Sequence, residues 1–524
     1  MDAKTQQQYA ETFHGLHRKG DPLILFNAWD VATAKAIAKT SPAVATERLS
    51  AEVTSPKIAM NGRKPDGGNA GLEPKAAEFR QGSLWPIAAI SCAVALSTSA
   101  RGFNSRYELE EEALSETTTR QETGSHKPKP FRIEVPDETL LDLKRRLQQV
   151  RWPDEISPGW SYGTDLKYLR SFVDYWRDEY DWRKWEAELN EFDQYTVALD
   201  SIDLHYIHIE GKGPAPMPLL LTHGWPSSFA DFRKIIPLLT DPARFGGDPR
   251  DAFTVVAPSM PGHGFSFKPN QRRFSILEIS DALAKLMIDV LGYKTFGSQG
   301  GDWGAFVSSR LGYAYPRNVC GIQISLLTIP RERPAIGDPT AEENQFFDQL
   351  ADWLQEETGY IQIMGTKPQT LAYALSDSPV GLAAWILEKL RSWTDCNGDL
   401  DAWIGRDVLA TNIMLYWATG AIGSSFWPYY ARLDGPWIVP PGERIQIPCG
   451  YAEFPNEFLR PPRSLAERMY GNITRWTQME RGGHFPALEQ PEALAHEISA
   501  FFRTIRLPIC RESATRPVED QNDD

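Results

Sequence analysis

Gly300-Gly301-Asp302-Trp303-Gly304 sets one carboxylate among glycines, where the chain has room for a very tight turn. Residues 293–297 before it read as a short strand, and residues 305–311 after it are helix-compatible. Strand, sharp small-residue turn and helix is the layout of a nucleophile elbow. The familiar residue at the apex is serine, which needs a base to take its proton before it attacks. An aspartate, with an ordinary pKa of about 3.9, is already ionised at neutral pH. Such a carboxylate can open a strained ring or displace a halide, leaving an ester on the protein. The pentapeptide alone is a short match, so its partners downstream decide the matter.

In this layout the chain order is nucleophile, acid, histidine. Two histidines follow Asp302, namely His484 and His496. His496 falls within the helical pattern of 491–502 and is expected at the surface. His484 sits in Arg481-Gly482-Gly483-His484-Phe485, a glycine-rich turn after a strand, which can aim an imidazole at Asp302 as the base. Its acidic orienter should follow the preceding strand; Glu453 and Glu457 both qualify, and spacing does not separate them. Upstream, His223-Gly224-Trp225-Pro226 follows the apolar strand 219–222. A loop there supplies one main-chain N–H of an oxyanion hole and the residue after the nucleophile supplies the other, so Trp225 and Trp303 are the expected donors. Each such donor is typically worth about 2.7–4 kcal/mol in the transition state. Pro261-Gly262-His263-Gly264-Phe265-Ser266 reads as loop geometry. His205 and His208 lie at odd spacing on one strand, face opposite sides and do not make a metal pair. The pattern calls for neither metal nor cofactor.

Those residues need elements to hold them. The hairpin 195–199 and 204–209, turning at 200–203, the strands 219–222 and 254–257, and the amphipathic helix 276–291 give short apolar strands alternating with helices. That rhythm implies an α/β fold with a mostly parallel sheet. From about 330 to 433 the pattern is largely helical, in the place of a lid; 443–449 and 474–479 resume the strands. Ahead of the sheet, 131–135 is a possible strand. Asp137 is a cap for helix 138–150, with Leu140, Leu143 and Leu147 on one face, and 166–180 is a second helix.

The chain has 524 residues, enough for two or more domains or one large α/β unit with insertions. Hydrophobic residues at 42% and charged residues at 24% are ordinary globular proportions, and a net charge of −14 argues against a nucleic-acid partner. The five cysteines, Cys92, Cys320, Cys396, Cys449 and Cys510, are far apart and form no C-x-x-C pair. The expectation is a reducing, cytoplasmic compartment without a disulfide framework or zinc site. No signal peptide is visible. Residues 84–100, about 17 in all, are apolar and at the lower edge for a membrane helix, but Pro86 and several Ser/Thr favour a buried or incidental segment over an anchor. Residues 61–71 and 108–123 are rich in Gly, Glu, Ser and Thr, so 47–128 reads as a linker with a disorder-prone composition.

Two resemblances follow. Residues 13–46 resemble the opening of the phosphoenolpyruvate mutase and isocitrate lyase superfamily, notably from Pro22 to Asp30. That family's barrel and acidic metal-binding motif do not follow, so 1–46 reads as a truncated remnant or a fusion without activity of its own; a small docking role is the alternative. Residues 129–505 resemble the microsomal-type epoxide hydrolase family. The likeness is carried by Arg151-Trp152-Pro153-Asp154, His223-Gly224-Trp225-Pro226, Gly300-Gly301-Asp302-Trp303-Gly304, Thr366-Lys367-Pro368-Gln369-Thr370, Asp377-Ser378-Pro379-Val380-Gly381-Leu382-Ala383-Ala384-Trp385 and Arg481-Gly482-Gly483-His484-Phe485 in combination.

The second resemblance implies an α/β-hydrolase fold with a mostly parallel central sheet at 195–505, a helical lid at about 330–433, an N-terminal wrapping domain at 129–230 and a tail at 506–524. The family's acid follows Phe-Pro-x-Glu, here Phe454-Pro455-Asn456-Glu457, which favours Glu457 over Glu453. The family uses two lid tyrosines; Tyr360 matches the first, and Tyr429 is favoured over Tyr430 for the second, although Pro428 departs from the usual residue. The implied reaction converts an apolar or aromatic epoxide and water to a vicinal diol through an ester on Asp302, in detoxification or aromatic hydrocarbon catabolism. A homodimer is compatible with this reading. The family's animal members are membrane-anchored, so association with the endoplasmic reticulum membrane is the alternative location. The rival functions are a haloalkane-type dehalogenase on the same fold and a non-catalytic hydrolase-fold protein that only binds its ligand.

Overall fold

The computed structural model describes residues 26–28, 44–46, 127–330, 339–432, 435 and 437–513, with side chains to 506. The chain divides into two units, 1–86 and 87–524. In the first, strand β1 (Phe26–Ala28) pairs in parallel with β2 (Val44–Thr46). The rest of the segment resembling the mutase superfamily, most of the linker 47–128 and the apolar segment 84–100 lie outside the described residues. Among the described residues, no helix is long and apolar enough to cross a membrane.

The second unit is built on nine strands: β3 (Lys129–Phe131), β4 (Gln194–Leu199), β5 (Ile202–Ile209), β6 (Met217–Thr222), β7 (Phe253–Pro258), β8 (Phe296–Gly300), β9 (Val319–Ile324), β10 (Cys449–Glu453) and β11 (Ile473–Gln478). Their order is β11-β10-β9-β8-β6-β7-β5-β4-β3. The six from β11 to β7 run parallel, and β5, β4 and β3 are added antiparallel at one edge. Strand β7 is buried along its whole length, as expected for a parallel sheet covered on both faces. Helix Pro491–Ser513 covers one face closely. A Cβ at Gly297 would lie 2.5 Å from the Phe502 ring, one at Gly450 2.7 Å from Phe501 and one at Gly321 2.5 Å from Ile505, so glycines on three adjacent strands form its seat.

Several predicted boundaries move, for identifiable reasons. The strand before Asp302 is Phe296–Gly300 instead of 293–297, because Gly292 turns the chain at φ +74° after a five-residue π-turn, 286–290, which also ends the regular part of helix 276–291 at Lys285. The strand predicted at 131–135 ends at Phe131. Beyond it the Ile133 N–H donates to Asn190 Oδ1 (2.8 Å) and the Val135 N–H to Glu186 Oε1 (2.7 Å), so side chains replace a neighbouring strand. Asp137 is not the cap of its helix; Pro136 holds that position, and Asp137 opens the first turn and pairs with Arg183. The strand predicted at 443–449 starts at Cys449, since Pro448 lacks the N–H a ladder needs; before it, Ile445 makes a single bridge to Tyr470.

The insertion between β9 and β10 holds eight helices among the described residues, from Ala341–Glu356 to Trp427–Ala431. The N-terminal helices Leu166–Asp178 and Trp182–Leu189 brace it. Tyr168 donates to Asp401 (2.7 Å), the Tyr180 hydroxyl meets Thr411 (2.9 Å) and Tyr175 binds Asp407. Trp152 and Trp385, from two of the motifs in the sequence, line a cavity of about 860 Å³ between this brace and the lid.

The tightest point lies under the elbow. A Cβ on Gly304 would overlap the Thr222 carbonyl oxygen at the end of β6. Gly304→Ala should therefore cost about 1–3 kcal/mol by overpacking and lower the melting temperature, while Gly359→Ala, where a Cβ meets nothing, should leave it unchanged; thermal denaturation of both variants checks this.

Candidate active site

Strand β8 delivers Gly300 and Gly301 directly to Asp302, the first residue of helix Asp302–Ala314. Asp302 has φ +48°, a left-handed conformation that strains a residue with a side chain by roughly 1–3 kcal/mol. The surroundings enforce it: a Cβ on Gly300 would overlap the Gly304 backbone, and one on Gly224 would overlap the Asp302 side chain. The two glycine motifs thus fit together around one carboxylate, whose side chain keeps 16% exposure.

Both carboxylate oxygens are held. Oδ1 accepts the Trp225 N–H at 2.7 Å, and Oδ2 lies 3.3 Å from His484 Nε2. The Trp303 N–H is in the first turn, where the first helical bond runs from the Ala305 N–H to Gly301 at 3.1 Å, so it has no carbonyl within its own helix to serve. On the other side of the imidazole, His484 Nδ1 is 2.9 Å from both oxygens of Glu457. Glu453, the other candidate acid, instead accepts the Trp476 indole N–H at 2.9 Å. The buried imidazole lies between two carboxylates. Burial pulls its pKa down, but the Glu457 charge, the Asp302 hydrogen bond and the remaining attractions outweigh that and raise it to about 10. The resting ring is therefore an imidazolium at neutral pH. By contrast, burial outweighs the Gly224 carbonyl and the Asp302 charge at His223 and lowers it to about 4, and burial alone lowers His205 to about 3. His205 bridges Ser259 and Gln194 at 2.9 Å each.

The turn carrying His484 is clamped by groups the sequence reading did not find. Glu489 accepts the N–H groups of Gly483 and Phe485 at 3.0 Å and of Asp395 at 2.8 Å, and Asp395 accepts the Gly482 N–H at 2.9 Å. The His484 N–H donates to the Trp393 carbonyl at 2.9 Å. An acid in the short helix after a glycine-rich turn is a local signal that could have found Glu489; nothing local marks Asp395 or Trp393, which come from the lid. The Trp393 ring lies edge-on to the imidazole at 5.1 Å, and Phe458 covers it at 4.5 Å.

The two lid tyrosines pack on the tryptophans that flank Asp302. Tyr360 stacks on the Trp225 indole, 5.6 Å and 9° between planes. Tyr429 meets Trp303 edge-on at 4.8 Å and Tyr360 at 5.8 Å. Tyr429 is 4% exposed, whereas Tyr430 is 38% exposed and packs on Trp427. Burial first, then neighbouring Tyr360 and Asp302, raise the Tyr429 phenol well above its usual range, so it is a neutral donor. Lys389, also missed, lies 5.2 Å over the Tyr360 ring and is held by Glu357 at 3.0 Å. Helix Arg406–Thr419 ties the lid to the oxyanion loop: Asn412 donates to the Pro226 carbonyl (2.6 Å) and Tyr416 to that of Ser227 (2.8 Å).

Residues 128–232 match the family model described as epoxide hydrolase N terminus, and 217–329 that described as alpha/beta hydrolase fold. A protein of Stigmatella aurantiaca is 42% identical, covering 72% of this chain and 85% of its own. Epoxide hydrolase 1 of Oryctolagus cuniculus is 36% identical, covering 71% and 88%. The crystal structure of juvenile hormone epoxide hydrolase from the silkworm Bombyx mori superposes with a TM-score of 0.64 at 28% identity, covering 73% of this chain and 96% of that one. None of these matches supports the resemblance of residues 13–46 to the mutase superfamily.

The raised pKa of His484 has a consequence for stability. Its folded value, about 10, exceeds the ordinary 6.5, so its contribution is complete below pH 6.5 and is lost as pH rises toward 10. Thermal melts from pH 6.5 to 10 should show wild type losing more stability than Glu457→Gln, which removes the largest upward influence; equal slopes would contradict the charge placement.

Proposed function

The chain belongs to the microsomal-type epoxide hydrolase family and is a hydrolase acting on epoxides, and on that premise we propose that it forms a vicinal diol in two steps through an ester on Asp302. The observation that carries this reading is the Asp302 carboxylate held at both oxygens, by the Trp225 N–H and by His484. In the first step the phenols of Tyr360 and Tyr429 donate to the epoxide oxygen, and these bonds strengthen as negative charge develops there. Asp302 Oδ2 attacks a ring carbon, and the electron pair of the breaking C–O bond moves to the epoxide oxygen. Ester formation removes the Asp302 charge. His484 then keeps the penalty of burial with only Glu457 against it, its pKa falls, and the alkoxide takes up the proton it gives up.

In the second step neutral His484 Nε2 accepts a proton from water while the water oxygen attacks Cγ of the ester. The charge on Oδ1 is held by the Trp225 N–H, with the Trp303 N–H as the second donor. The bond from Cγ to the alkyl oxygen breaks, that oxygen takes the remaining proton of the attacking water, and the diol leaves Asp302 as a carboxylate that retains one solvent oxygen. Glu457 orients the ring and stabilises its charged form. The aromatic rings of Trp225, Trp303, Tyr360, Trp393 and Phe458, packed on the lid tyrosines and the imidazole, support an apolar or aromatic substrate. A haloalkane-type dehalogenase shares the nucleophile, and release of halide from a chloroalkane separates it from the epoxide reading.

Purified wild type should convert styrene oxide to its diol and release no halide from a chloroalkane, and Asp302→Ala should form no diol and release no halide. Diol from Asp302→Ala would overturn the mechanism, and halide from wild type without diol would move the reaction to dehalogenation. His484→Gln should accumulate the ester, seen as added mass on the intact protein, with turnover at least about a hundredfold slower. Tyr429→Phe should lower kcat/KM about 10- to 100-fold, and Tyr430→Phe should leave it within about twofold, measured on the same epoxide.

A further inference from the structure

The two-step reading requires water to reach Cγ of Asp302 while the alkyl ester fills the lid side of the site. Behind the nucleophile lies a second, smaller cavity of about 40 Å³, lined by Asp302 and His484 and by the sheet ends and loops around Thr222, Ser227, Asp231, Gln299 and Ser325. No residue of the lid lines it. It touches the two groups that ester hydrolysis needs and none of those that grip the epoxide. At roughly 10–15 Å³ for each water, a cavity of this size holds about three or four.

Its wall is polar to a degree that packing alone does not explain. Thr222, Gln299 and Ser325 are each no more than 2% exposed. Thr222 Oγ1, Gln299 Oε1 and Ser325 Oγ are buried without a hydrogen-bond partner in the protein. Buried oxygens left unpaired cost about 1–3 kcal/mol each, so three around one cavity mark a place for a ligand that donates hydrogen bonds. The Ser325 hydroxyl lies under the elbow, 2.7 Å from where a Cβ on Gly301 would stand, and the Ser325 N–H donates to the Gly300 carbonyl at 3.2 Å. The three oxygens come from the ends of β6, β8 and β9, which also fix the elbow, so their spacing relative to Asp302 is rigid.

We propose that this rear chamber holds and delivers the hydrolytic water, with Thr222, Gln299 and Ser325 as its positioning residues. The inference rests on the aspartyl-ester reading. One chamber water gives a proton to His484 Nε2 and its oxygen forms the new bond to Cγ; the bond from Cγ to the alkyl oxygen then breaks, that oxygen takes the water's remaining proton, and the other chamber waters refill the position. Water thereby arrives on the side opposite the bound alkyl group.

Single-turnover rapid quench on the full chain, with intact-protein mass spectrometry, reads ester formation and ester hydrolysis separately. Thr222→Val, an isosteric change, Gln299→Leu and Ser325→Ala should leave ester formation within about twofold of wild type, slow hydrolysis about tenfold or more and make the ester accumulate. Thr222→Ser, which keeps the hydroxyl, should restore hydrolysis. Hydrolysis at the wild-type rate in Thr222→Val, or an equal fall of both steps in all three variants, would overturn the chamber while leaving the ester mechanism standing. No ester in wild type or in His484→Gln would overturn both. Should Gln299→Leu fail to fold, Thr222→Val and its serine partner decide the question alone.

Discussion

The site depends on a steric constraint: the helix that begins at Asp302 is pressed so close to the end of β6 that only glycine fits at position 304. With the helix fixed there, the chain passing from β8 has to turn within Gly300 and Gly301, and Asp302 is forced to φ +48°. That conformation projects the carboxylate into the gap left by Gly224, where the Trp225 N–H meets it at 2.7 Å. Strain in the backbone is thus converted into a fixed position for the attacking group. Everything else is arranged around that position: the imidazole on one side, the phenols against the flanking tryptophans and the small polar cavity behind.

A second constraint is charge. Two carboxylates and one imidazole share a buried space, and the ring stays protonated because it has a negative partner on each side. The reaction removes one of those partners by turning Asp302 into an ester. The same event that completes the first step therefore lowers the proton affinity of the ring and readies it as a base for the second. Glu457, which is not alkylated, keeps the ring oriented throughout. The clamp of Glu489 and Asp395 on the His484 turn, and the rings of Trp393 and Phe458 around the imidazole, limit its movement between the two roles.

What the sequence made legible was local. The glycines beside Asp302 and His484, and the strand–turn–helix rhythm, are short-range signals, and they brought the elbow, the oxyanion loop and the histidine turn into view. Glu453 and Glu457 could not be separated by spacing, because what separates them is which one faces His484 and which one faces Trp476. Tyr360 and Tyr429 came from resemblance alone, since nothing in a helical lid distinguishes a substrate-facing phenol from a packed one until the helices are assembled. Lys389, Trp393 and Asp395 were missed for the same reason: their contacts are long-range. The boundary errors around 293, 131 and 443 arose where a π-turn, side-chain hydrogen bonds or a proline replaced regular ladders.

The central claim is that the carboxylate of Asp302, and not water, supplies the oxygen that first attacks the epoxide. A single turnover in ¹⁸O-labelled water, with enzyme in excess over styrene oxide, measures this directly. The account predicts a diol without label, and label in the proteolytic peptide containing Asp302. A labelled diol from that first turnover, with Asp302 unlabelled, would mean that water attacks the ring directly and would contradict it.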